Sequence, residues 1–204
     1  MYWCWPAGAK TTTLGLNTDG SIGGPAPAGS ETYVADPLAG VDTNTSATSL
    51  TFTSTPLGSD LVVAGPGEVD LTATLTDPTG VLGTVDSTVP TSSVVDTNFV
   101  FHLYDVAPDG TQTNVTQGYL KASHRLSHTY PTVIDLGAKT VYAIPLWHTD
   151  WRFRAGHRLE LILAAGDQAT GLGGAPAPLQ PIPPLTVTVQ TGTGGSTLKL
   201  PVLK

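Results

Sequence analysis

The sequence predicts an all-β sandwich, and three observations carry that expectation. Thr (32), Gly (23) and Pro (17) make up 72 of the 204 residues. Threonine fits pleated strands, while Gly and Pro punctuate turns. Apolar and polar residues alternate with period two, most cleanly where Val69, Leu71, Ala73 and Leu75 interleave with Asp70, Thr72, Thr74 and Thr76. No stretch carries a convincing 3.6-residue period, which argues against a helical bundle or a doubly wound α/β domain. With 40% hydrophobic residues the chain can bury a core, and its length fits one domain over residues 1–204.

Each element follows from local pattern. Residues 11–16 read as a first strand, closed by the turn Asn17-Thr18-Asp19-Gly20. Residues 23–29 are a Gly/Pro/Ala-rich loop, and a short extended piece ends at Tyr33-Val34-Ala35-Asp36-Pro37. Residues 49–54 alternate, with Leu50 and Phe52 on one face. Residues 61–64 form a strand expected to stop at Gly65-Pro66-Gly67, before the alternating run 69–75. A polar connection, 77–95, leads to a strong strand over 98–106. The Pro108-Asp109-Gly110 turn then closes a hairpin into 111–115. Strands over 119–124, 140–146, 157–164, 185–190 and 198–202 complete the set, and 171–184 reads as a Pro/Gly surface loop. Ten or eleven short strands at this spacing suit two packed antiparallel sheets.

Charge and composition exclude several functions. Only 12% of residues are charged, with a net charge of −7. Residues 1–100 hold one base and ten acids, whereas 101–204 hold eight bases and six acids. Such a chain is a poor nucleic-acid ligand, because phosphate contacts need clustered Lys and Arg. No apolar run approaches the ~18 residues of a membrane span. The lone Cys4 gives no disulfide framework or cysteine-based zinc site, and no metal or other cofactor is expected. Thr- and Gly-rich, Lys-poor strands favour export over a cytoplasmic location without fixing the compartment.

Catalytic signatures are missing. No serine sits in Gly-x-Ser-x-Gly, the frame that exposes a nucleophile on a strained strand-to-helix elbow. There is no phosphate loop, no dinucleotide fingerprint and no His-Glu-x-x-His. No catalytic residue is therefore expected, and the chain alone should be inactive. His124 and His128 are four apart, a metal spacing only on a helix, whereas they flank a strand end. His157 and Arg158 fall at a strand start, within reach of acids such as Asp105. A His–Asp pair there has no nucleophile to activate. Trp147-His148-Thr149-Asp150-Trp151-Arg152 reads as an aromatic loop, suited to an interdomain contact, a core rim or a sugar platform. Trp3 and Trp5 are unusual near a free terminus. A preceding domain covering them and a self-packed N-terminal strand explain them equally.

Several segments resemble one family. Phe99-Val100-Phe101-His102-Leu103-Tyr104-Asp105-Val106-Ala107-Pro108-Asp109-Gly110 leads to Asn114-Val115-Thr116-Gln117-Gly118-Tyr119-Leu120-Lys121-Ala122-Ser123-His124-Arg125, and later comes Phe153-Arg154-Ala155-Gly156-His157-Arg158-Leu159-Glu160-Leu161. With Trp5-Pro6, Leu14-Gly15-Leu16 and Tyr33-Val34-Ala35-Asp36-Pro37 upstream, these resemble the C-terminal domain of Xaa-Pro dipeptidyl-peptidases and the related cocaine esterase and α-amino acid ester hydrolase group. The resemblance implies a galactose-binding-like jelly roll. It also implies a Ser-Asp-His triad in an N-terminal α/β-hydrolase domain of the same polypeptide, with residues 1–10 leading in from it. No triad position carries over onto this chain. The domain would pack on that hydrolase domain and help wall its cleft, with room for subunit contacts through the parent enzyme. Trp3, Trp5, Trp147, His148 and Trp151 are the candidate contacts. The alternative is a free-standing carbohydrate-binding module using the Trp147/Trp151 loop. A structural adhesion module is a third reading.

Overall fold

The alternation becomes eleven strands in the computed structural model, which describes residues 8–24, 26–36, 45, 47–80, 96–167 and 184–203. They are β1 (Lys10–Leu16), β2 (Ser21–Gly23), β3 (Gly29–Ala35), β4 (Ser49–Ser54), β5 (Leu61–Thr76), β6 (Asn98–Val106), β7 (Gln112–Lys121), β8 (Lys139–Phe153), β9 (Arg158–Ala164), β10 (Leu185–Thr191) and β11 (Thr197–Leu203). One turn of 3-10 helix, Ala122–His124, follows β7. The expected loop 171–184 lies, except for Pro184, outside the described residues, as do most of the polar connection and residues 1–7.

The hydrogen-bonded order is β3-β10-β5-β11-β1-β2-β4-β9-β6-β7, with β8 on the other edge of β5. Strand β5 is long enough to serve two neighbours on one edge, β11 along its first part and β10 along its last. The short β2 carries the path from one layer to the other. It pairs with β1 at Gly15↔Gly23 and Leu16↔Ile22, then runs parallel to β4 at Ser21↔Thr53 and Ile22↔Ser54. Phe52, Phe101, Leu103 and Leu161 from one layer meet Leu71, Ile144, Val187, Leu198 and Leu200 from the other in a single apolar cluster. Each fully buried side chain of this size contributes ~1.5–3 kcal/mol through burial. The chain is thus an all-β sandwich.

The layers also meet where β7 passes β8. Thr116 Oγ1 donates to the Trp147 carbonyl (2.7 Å), and Thr149 Oγ1 donates to the Val115 carbonyl (3.2 Å). A side chain at position 118 would collide with the Pro145 carbonyl, so Gly118 permits this approach.

Three strands are longer than local pattern indicates. The expected stop at Gly65-Pro66-Gly67 lies inside β5, opposite a bulge in β8. Gly65 takes φ +128°, and the register steps from Pro66↔His148 to Glu68↔Pro145. Leu146 and Trp147 therefore both face Gly67, so one residue is extra on β8 and the side-chain parity flips. Before the bulge Tyr142, Ile144 and Leu146 point into the core; after it Trp151 and Phe153 do. Period-two reading fails across such a switch, which is why 147–152 reads as a loop and is instead strand. The expected pieces 111–115 and 119–124 likewise join into β7, with a register shift opposite Leu103/Tyr104, before the chain turns at Ala122.

Candidate functional surfaces

Strand β6 presents Asp105 at the sandwich edge, in register with Thr113 of β7 and Leu159 of β9. Its buried carboxylate accepts from Trp151 Nε1 (3.0 Å) and pairs with His157 Nδ1 (2.7 Å). The bond between sequence-distant His157 and Asp105 meets the expectation. A carboxylate only accepts, so His157 Nδ1 carries the proton of this bond and Nε2 is left outside it. Around this knot lies an open cleft of about 650 Å³, lined also by Asp60, Thr113, Asp150, Arg152 and Arg154. Asp60 accepts the Ala155 N–H (2.9 Å) and stands 4.0 Å from Arg152, a loose pair. The nearby Pro108-Asp109-Gly110 turn forms as expected. The Thr111 N–H donates to the Asp109 carboxylate and holds that carboxyl below its usual range.

A second groove, of about 570 Å³, runs between β7 and β8. Tyr119, Lys121, His124, His128, Pro145, Trp147 and His148 line it. Trp147 is 53% and Tyr119 47% exposed, large values for aromatic residues. Of seven exposed large hydrophobics among the described residues, six lie between Tyr119 and Trp147 in sequence; Val34 is the exception. His124 Nδ1 donates to the Ser127 carbonyl (3.0 Å), and Lys121 pairs with Asp96 (3.2 Å).

A third cluster is sealed. On the outward face of β6, His102 Nε2 donates to Asp167 Oδ2 at 2.9 Å, and both side chains are buried. Its Nδ1 accepts from Asn114 Nδ2 (2.9 Å) and lies 3.1 Å from the Tyr104 hydroxyl. This network carried no local signal: the partners are 65 residues apart, and neither stands in a recognisable pattern.

The candidate contacts therefore separate. Trp3 and Trp5 lie outside the described residues. Trp147 and His148 line the exposed groove, whereas Trp151 is half-buried and lines the Asp105 cleft. The two tryptophans do not form one platform, because the bulge at Leu146-Trp147 turns them into different clefts. His124 and His128 share a groove, but no group of three or more His, Cys, Asp or Glu among the described residues is arranged to hold a metal. No helix among the described residues is long and apolar enough to cross a membrane.

Comparison with known proteins fits this architecture. A solved aminopeptidase from a marine sediment Thaumarchaeota archaeon superposes with a TM-score of 0.72 over 96% of this chain at 18% identity. An α-amino acid ester hydrolase gives 0.70 over 94% at 20% identity, and a CocE/NonD family hydrolase from Staphylococcus aureus 0.71 over 97% at 15%. At these identities the likeness is one of fold. The chain spans 36–37% of the length of those proteins. In sequence, 89 residues are 38% identical to the cocaine esterase of Rhodococcus sp. (strain MB1 Bresler), covering 43% of this chain and 16% of that protein. The family profile of the X-Pro dipeptidyl-peptidase C-terminal non-catalytic domain matches residues 4–196. With nearly the whole chain matched, this protein belongs to the X-Pro dipeptidyl-peptidase C-terminal non-catalytic domain family.

Proposed function

We propose that the chain is the jelly-roll module of a serine hydrolase, packing on an α/β-hydrolase domain of the same polypeptide and walling its active-site cleft. The observation that carries the docking is the groove between β7 and β8, where the aromatic side chains of Tyr119 and Trp147 stand about half exposed. Exposed apolar surface concentrated in this way marks a contact site more often than a free surface. Trp147 and His148 are the central contacts, with Trp3 and Trp5 joining them, and Trp151 braces the strand behind. The parent would act by acyl transfer, in which a His-activated Ser is acylated by an ester or amide substrate and water completes hydrolysis. The longer chains of the structural relatives support this reading. The 204-residue chain should not be labelled by a fluorophosphonate probe; covalent labelling would show a nucleophile of its own and overturn the non-catalytic role. The native gene product should have a mass well above 21.0 kDa, and one near that value would sink the packing arrangement.

A further inference from the structure

Between β7 and β8 the chain makes a closed loop, 123–133, whose order comes from within. The Thr132 N–H and hydroxyl both donate to the Ser123 carbonyl (2.7 and 3.0 Å) and pin its base. Arg125 braces it, donating from Nη1 to Thr132 Oγ1 (2.7 Å) and from Nη2 to the Val133 carbonyl (2.9 Å). At the tip the Ser127 hydroxyl accepts the Thr129 and Tyr130 N–H groups, both at 3.2 Å, and the Ser127 carbonyl accepts from His124. This bracing holds out two apolar side chains instead of covering them: Leu126 is 76% and Tyr130 74% exposed.

The Arg125 charge is also unmet. Both of its acceptors are neutral, and no carboxylate among the described residues pairs with it. Asp96, at the base of the loop, is bonded to Ser123 and Lys121. Residues 111–134 contain no Asp or Glu, although the chain has 16. Two guanidinium donors are committed, and the rest of the fork is left for a carboxylate.

We infer, resting on the docking proposed above, that this loop is a second anchor on the hydrolase domain, and that the surface it meets sets a carboxylate beside an apolar pocket. Leu126 and Tyr130 fill the pocket, and Arg125 takes the carboxylate. His124 and His128 also line the Trp147 groove, so loop and groove are continuous and one partner covers both. Because the loop is ordered before contact, docking costs it little entropy.

Hydroxyl-radical footprinting of the 204-residue chain and of the complete gene product tests this. Oxidation of Leu126 and Tyr130 should slow about tenfold in the complete product, as expected at the core of an interface. Raising salt from about 0.1 M to about 1 M should speed that oxidation about threefold in the complete product and leave the shorter chain unchanged. The double variant Leu126→Ser/Tyr130→Ser should keep the melting temperature of the 204-residue chain and lower that of the complete product. Equal oxidation in the two forms overturns the anchor, and a salt-independent contact overturns the carboxylate. Protection that vanishes on dilution would assign the loop to a second copy and overturn it too. If Trp147 is protected while Leu126 and Tyr130 are not, the docking reading stands and this inference falls. If none of the three is protected, or the gene product has a mass near 21.0 kDa, both fall.

Discussion

His102–Asp167 and His157–Asp105 are the same two residue types joined at 2.9 and 2.7 Å, yet they sit in different surroundings. In the first, the side chains are 3% and 0% exposed, and both ring nitrogens of His102 are engaged. In the second, His157 is 20% exposed and one nitrogen faces the cleft. Asp105 also keeps a second donor, Trp151. A sealed pair ties β6 to the chain leaving β9 and has no free valence for anything else. An edge pair braces a cleft and still presents a ring nitrogen to it. Chemistry alone does not separate a structural His–Asp pair from an available one; the second ring nitrogen does.

Breaking each pair in turn should expose that difference. His102→Leu leaves the Asp167 carboxylate buried without its histidine donor, and removing one partner of such a pair costs about 3–5 kcal/mol. His157→Leu leaves Asp105 still bonded to Trp151, so the loss should be about 1 kcal/mol. Urea denaturation midpoints of the two variants measure the contrast. Equal losses would mean that enclosure does not distinguish the pairs.

The legibility of these features in sequence follows their range. Strands set by alternation and flanking turns, such as Ser49–Ser54 and Asn98–Val106, are readable to the residue. Strand β8 is not, because the extra residue opposite Gly67 resets its parity between Leu146 and Trp151. His157 could be linked to Asp105 because both lie at strand ends beside turns. His102 could not be linked to Asp167, because only the packed sheet brings them together. The Trp147 groove depends on the same bulge, so a sequence that shows two tryptophans four apart hides that they serve different clefts.

A buried polar group lacking any partner sharpens the comparison from the opposite side. Among buried side-chain atoms of the described residues, the Tyr33 hydroxyl has no hydrogen-bond partner. Burial pushes its phenol far above the ordinary value of 10.0. Tyr33→Phe removes that unsatisfied group and should stabilise the fold by about 1 kcal/mol at neutral pH. The sign at high pH follows from linkage. Because the folded pKa is raised, the unfolded chain ionises first, so stability is complete below pH 10.0 and declines as pH rises above it. Tyr142 shifts the same way, again through burial, so the Phe variant should lose part of the alkaline decline and keep the rest. Melting temperatures at pH 8 and above pH 10.0 test this, and an unchanged alkaline slope in Tyr33→Phe would contradict it.

The smallest effect belongs to an ion pair with no enclosure. Lys199 of β11 reaches Asp70 (2.6 Å) and Glu68 (2.9 Å) on β5, and those two bonds raise its pKa. All three side chains are about 29–42% exposed, so solvent screens the attraction. Lys199→Met should cost less than about 1 kcal/mol, and the cost should shrink further in molar salt. With the folded pKa raised, this contribution is complete below the ordinary lysine value of 10.5 and fades as pH climbs past it. Near neutrality, salt should therefore erase the difference between Lys199→Met and the parent while leaving the His102→Leu deficit in place. If the two deficits responded to salt alike, burial would not be what sets the strength of charged pairs in this sandwich.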